Sequence, residues 1–96
     1  MKSMFDENTT ALFEAILSLQ SIEECEMFFQ DICTIKEIQD ISQRYEVARL
    51  LNSGKLYQEI AQLTGASTAT ISRVNKAIQY GEGGYTIALE RTQDTK

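Results

Sequence analysis

Thr68, Thr70, Ser72, Arg73 and Lys76 follow directly on the turn Thr64-Gly65-Ala66-Ser67 and stand at helical spacing. Short hydroxyls and cations presented by one helix can hydrogen-bond base edges or phosphates, and Arg73 and Lys76 add charge attraction. Ser67 is suited to cap such a helix, and a helix N-terminus itself favours an anion. Catalysis finds much less support. The chain has no histidine, which removes the usual general base, and no pairing of carboxylate, Tyr, Lys or Cys stands out in spacing. Cys25 and Cys33 match neither Cys-x-x-Cys nor a zinc pattern. They are expected to be small buried apolar side chains in a reducing compartment. No enzyme, metal or cofactor is implied.

Residues Tyr57 to Lys76 fit a helix-turn-helix. Ala61 is small where two crossing helices must approach, and Gly65 occupies a turn that needs positive φ. Ile60, Ala66, Ile71 and Val74 supply the core between the helices. The candidate contact residues are Gln58, Ser67, Thr68, Ala69, Thr70, Ser72, Arg73 and Lys76. The bland alternative is a plain helical hairpin with glycine in its turn. A second alternative keeps the motif and uses it to contact another protein of the transcription machinery.

The elements that must position these residues are all helical. There is no proline, no repeat and no strand alternation, whereas helix start signals recur. The first helix is expected from Asn8 or Thr9, with Leu12, Phe13, Ile16, Leu17 and Leu19 on its apolar face. Ser21-Ile22-Glu23-Glu24 opens a second, apolar on several sides through Ile22, Cys25, Met27, Phe28, Phe29 and Ile32. Thr34-Ile35-Lys36-Glu37 opens a third, whose stripe is Ile38, Ile41, Tyr45, Ala48 and Leu51, widened by Ile35 and Val47. Gly54 ends it in a left-handed position. The fourth helix is expected over about 56–64, the fifth after Ser67 to about Tyr80, and a short sixth over 85–91 before a polar tail. Tyr80 and Tyr85 are assigned to packing. One all-α domain thus spans 1–96, with dimerisation helices in 1–54, the helix-turn-helix in 55–80 and a C-terminal helix and tail in 81–96. Helices apolar on several sides in so short a chain point to a homodimer.

The net charge is −5, and it is unevenly spread. Residues 1–40 hold nine acids against Lys2 and Lys36, a balance of −7; residues 41–96 hold seven bases against five acids, a balance of +2. An acidic body with a mildly basic face follows, which predicts modest non-specific affinity for nucleic acid and a shallow salt dependence. Neither Asn52-Ser53-Gly54-Lys55-Leu56 nor Gly81-Glu82-Gly83-Gly84 meets the pattern of a phosphate loop or dinucleotide site. No apolar run is long enough for a membrane span, and the N-terminus lacks the pattern of a secretory signal. A cytoplasmic protein is expected.

The stretch Thr64 to Lys76, supported by Cys33-Thr34-Ile35-Lys36-Glu37, Ser42 to Leu51 and Ser53-Gly54-Lys55, resembles the Trp repressor superfamily, and within it the YerC/YecD-like branch. The resemblance covers nearly the whole chain. It implies a six-helix subunit intertwined with a partner, and two reading heads about 34 Å apart meeting successive major grooves. It places Ala69, Thr70 and Arg73 on recognition-helix positions, with Thr68 and Ser72 beside them, and Gln58 where the family has a DNA-touching arginine. Arg73 matches one of two arginines that sandwich a tryptophan corepressor, and Arg44 lies close to the other. Val74 replaces a glycine beside that ligand, so tryptophan is not expected to be the effector.

Overall fold

The computed structural model describes residues 4–92, so Lys2 and the polar tail at 93–96 lie outside the described residues. Six α-helices follow in order: α1 (Glu7–Ser18), α2 (Ile22–Ile32), α3 (Ile35–Asn52), α4 (Tyr57–Thr64), α5 (Thr68–Tyr80) and α6 (Gly84–Thr92). There is no strand among the described residues. The chain divides into two compact units, residues 1–38 and 39–96.

The first unit contains α1, α2 and the opening of α3. Its helices are set by their caps. Asp6 caps α1, accepting at 2.8 Å from the Thr9 amide, so the helix begins at Glu7 rather than at Asn8 or Thr9. Ser21 Oγ accepts from the Glu24 amide at 3.1 Å, while the Glu24 carboxylate reaches one residue further back, to the Gln20 amide at 2.8 Å. Thr34 and Glu37 close a reciprocal box, with Thr34 Oγ1 accepting from the Glu37 amide at 3.1 Å and Glu37 Oε1 from the Thr34 amide at 2.8 Å. Edge-to-face pairs join Phe5 to Phe13 and Phe28 to Phe29. No residue of α1 or α2 is buried. Leu17 is 83% exposed, Ile22 74% and Met27 61%. The expected burial of the cysteines is corrected: no residue of α2 is buried, and Cys25 is exposed and Cys33 half-buried.

The second unit holds the core. Val47 and Ala48 of α3, Ile60 of α4, Ala66 of the turn, Ile71 and Val74 of α5 and Leu89 of α6 form one buried cluster. Val47 and Ala48 of α3 belong to this cluster, and the boundary between the two compact units falls inside α3. Gly54 ends α3 with φ +89°, and Gly65 ends α4 with φ +76°. Both positions are left-handed as expected. Tyr85 stacks on Tyr45 at a centroid distance of 6.4 Å. Tyr80 does not pack; it is 82% exposed, because it lies on the face of α5 opposite Ile71 and Val74. The last helix begins one residue early and ends one residue late relative to 85–91.

Two expectations follow. A Cβ at Gly65 would meet nothing within 4 Å, so the penalty of a side chain there is conformational alone. Gly65→Ala should cost about 1–2 kcal/mol in urea unfolding at fixed protein concentration, and Gly65→Asn less, since asparagine tolerates this region better. The second concerns acid. Hydrogen bonds from the Thr9 amide and hydroxyl hold the Asp6 carboxyl below its ordinary value. The cap is therefore intact above the unfolded-state value and is lost as pH falls through the lower folded-state value. The Thr9 amide resonance should report that titration and lose its pH dependence in Asp6→Asn.

Candidate nucleic-acid interface

The helix-turn-helix is built from α4, an eight-residue helix, and α5, separated by Gly65-Ala66-Ser67. Its sequence-expected core, Ile60, Ala66, Ile71 and Val74, is buried throughout, and Ala61 packs against it. The N-terminus of α4 is fixed by Glu59, whose Oε1 accepts from the Leu56 amide at 2.9 Å. Ser67 caps α5: its Oγ accepts from the Thr70 amide at 3.1 Å and lies 3.1 Å from Thr70 Oγ1 as donor. The Ser67 side chain is thus engaged within the protein, and the Thr70 hydroxyl keeps its own proton to donate.

The side chains of α5 divide into two stripes. Ile71, Val74 and Ile78 follow the helical period and face the core. Ala69, Ser72, Arg73 and Lys76 follow the i, i+3, i+4, i+7 pattern on the opposite side, and all four are exposed. Thr68 is exposed beside them, Thr70 is half-buried, and Tyr80 continues the exposed stripe at its far end. Gln58 is exposed on the first turn of α4. Sequence reasoning assigned Tyr80 to packing and so missed its place on this face; counting eleven residues on from Ala69, close to three turns, would have found it.

Electrostatics agree with the geometry. Unlike α1 to α4, α5 has no acidic residue in its first turn. The positive end of its dipole therefore stays available to an external anion. Arg49 pairs with Glu46 on α3, while Arg73 and Lys76 are exposed. What the surface can do is hold a polyanion by Arg73, Lys76 and the helix terminus, and distinguish base edges with short side chains.

The two arginines suggested for an effector pocket, Arg44 and Arg73, are both exposed. An apolar groove of about 350 Å³ lies against Tyr45, Ala77, Gly81, Tyr85 and Ala88, and neither arginine lines it. Val74 is 2% exposed and fills the core between α5 and its neighbours.

Comparison with known proteins gives a consistent result. The family model of the Trp repressor protein matches residues 7–93. The uncharacterized protein YerC of Bacillus subtilis is 54% identical over 85 residues, which are 88% of this chain and 82% of that one. The crystal structure of a TrpR-like protein from Eubacterium eligens superposes with a TM-score of 0.89 at 48% identity, covering 95% of this chain and 94% of that one. A Trp repressor candidate from Staphylococcus aureus superposes with a TM-score of 0.90 at 46% identity, covering 97% and 94%.

The cap of α5 can be tested apart from any ligand. Ser67→Ala should lower stability by about 1 kcal/mol in denaturant unfolding, and Ser67→Asp should restore it, because aspartate caps equally well.

Proposed function

The chain belongs to the Trp repressor family, and from that membership we propose that it is a sequence-specific regulator of transcription, a repressor. In this reading it binds double-stranded DNA in the cytoplasm as a homodimer, with α5 as its reading helix. The observation that carries the reading is the exposed stripe Ala69, Ser72, Arg73 and Lys76 lying opposite the buried Ile71 and Val74. Phosphate contacts from Arg73 and Lys76 would position the helix, while Thr68, Ala69, Thr70 and Ser72 read base edges. Gln58 and Ser67 would add contacts at the helix termini. No catalytic step is involved.

Support for a homodimer comes from α1 and α2, which have no fully buried residue and leave Leu17, Ile22 and Met27 largely exposed. Large exposed apolar patches on a folded chain mark surfaces that meet a partner.

Tryptophan is not the corepressor in this reading. Val74 stands where the family resemblance has a glycine, and its branched side chain is already committed to the core. A second reading, contact with another protein of the transcription machinery, draws on Leu56 and Leu63, both exposed at 67% on the helix-turn-helix.

Duplex binding measured by fluorescence anisotropy across a salt series tests the leading reading. Removing one phosphate contact should reduce the salt slope by about one, so Arg73→Ala and Lys76→Ala should each flatten the line, and Thr70→Ala should weaken specific binding with the slope preserved. Slopes and affinities equal to the parent's in all three variants would show that α5 does not face DNA. Calorimetry with L-tryptophan should give no saturable heat; a tight, saturable isotherm would overturn the claim for Val74.

A further inference from the structure

We propose that Gln43, on α3, is a positioning residue for the reading helix: its amide group anchors the turn of the helix-turn-helix and thereby sets the direction of α5. This rests on the DNA reading above and adds to it a residue that touches neither base nor phosphate.

The left-handed turn at Gly65 carries the chain away from the axis of α4. The carbonyl of Thr64, last residue of that helix, is left without an intrahelical partner. Gln43 supplies one. Its Nε2 donates to Thr64 O at 3.1 Å, in a half-buried setting 21 residues away in sequence. Gln43 stands one turn before Val47, whose side chain is fully buried in the shared core. The amide therefore extends from the same face of α3 that packs on α4 and α5.

Thr64 transmits this tie in both directions along the motif. Its hydroxyl donates to the Ile60 carbonyl at 2.7 Å and accepts from the Ala66 amide at 3.1 Å. Ile60 is a core residue of α4, and Ala66 immediately precedes the Ser67 cap of α5. Every polar atom of Thr64 apart from its own amide is thus spoken for: the carbonyl by α3, the hydroxyl by α4 and by the entry to α5. Apolar contacts hold the helices together but tolerate small rotations, whereas a hydrogen bond prefers an angle above about 150° and weakens steeply below about 120°. The Gln43 bond fixes the angle that burial leaves soft. A reading helix whose direction wanders keeps its charge attraction for phosphates and loses its register with base edges, which is a loss of specificity rather than of binding.

The test uses the full-length protein and two duplexes, one recovered from a randomised pool by the parent protein and one scrambled. Gln43→Met keeps the length and apolar stem of the side chain and removes the donor; Gln43→Glu replaces the donor with an acceptor facing a carbonyl. Gln43→Met should bind the recovered duplex about five- to tenfold more weakly, the scale of one lost hydrogen bond, with scrambled-duplex affinity and salt slope unchanged. Gln43→Glu should lose at least as much. Amide hydrogen exchange without DNA should quicken in the turn 64–67, while α6 keeps its protection. Equal affinity of parent and both variants for the recovered duplex, or unaltered exchange in the turn, would overturn the proposal. So would a parallel loss on both duplexes, which would mark Gln43 as merely structural. A parent protein that fails to distinguish the two duplexes would instead bring down the DNA reading itself, and this proposal with it.

Discussion

A helix of eight residues does not persist in water on its own, since helices shorter than about 12–15 residues are marginal even in favourable sequences. Yet α4 has that length, and the position of α5 depends on it. What holds both is the burial of Ile60, Ile71 and Val47 in one small core, each fully removed from solvent. A branched aliphatic side chain so buried contributes about 1.5–3 kcal/mol, and here the contributions come from three different helices. The core also dictates which face of α5 is left outside. With Ile71, Val74 and Ile78 turned inward, the period of the helix places Ala69, Ser72, Arg73 and Lys76 outward together. The candidate reading surface is the complement of the core, and no residue on it could move to another face without displacing a core residue.

The first unit presents the opposite situation. Its helices carry side-chain N-caps, but no residue of α1 or α2 is buried. Caps decide where a helix starts; they do not supply the free energy that folds a chain, because each contributes only about 1 kcal/mol. Apolar side chains such as Leu17 and Ile22 represent stabilisation still to be gained. The proposed dimer would gain it, and would at the same time hold two copies of the second unit at a fixed separation. In the proposed dimer stability and function would be coupled, because the apolar surface that gains burial would also pair the two chains.

Much of this was legible in the residues. Gly65 and Gly54 announced left-handed turns, and Ile60, Ala66, Ile71 and Val74 announced the core of the motif, because these depend on local conformation and on helical period. The Thr34–Glu37 box could be read for the same reason. What escaped were matters of tertiary context. Asp6 starts α1 earlier than the apolar stripe suggested, since a cap precedes the stripe it serves. Cys25 looked like a core residue by type, but it lies exposed on a helix with no buried residue. Tyr80 looked like packing and lies on the exposed stripe. Gln43 carried a faint signal, a polar side chain one turn before the buried Val47; its partner Thr64 could be known only once the turn at Gly65 had been placed against α3.

The central claim is that two copies of this helix-turn-helix, held by a dimer, read duplex DNA together. Selection from a pool of random duplexes by the full-length protein at near-physiological salt addresses it most directly. The predicted result is an enriched palindrome whose half-sites lie about one helical turn apart, lost when the selection is repeated with Arg73→Ala. An unenriched pool, or an enriched sequence without two-fold symmetry, would contradict it.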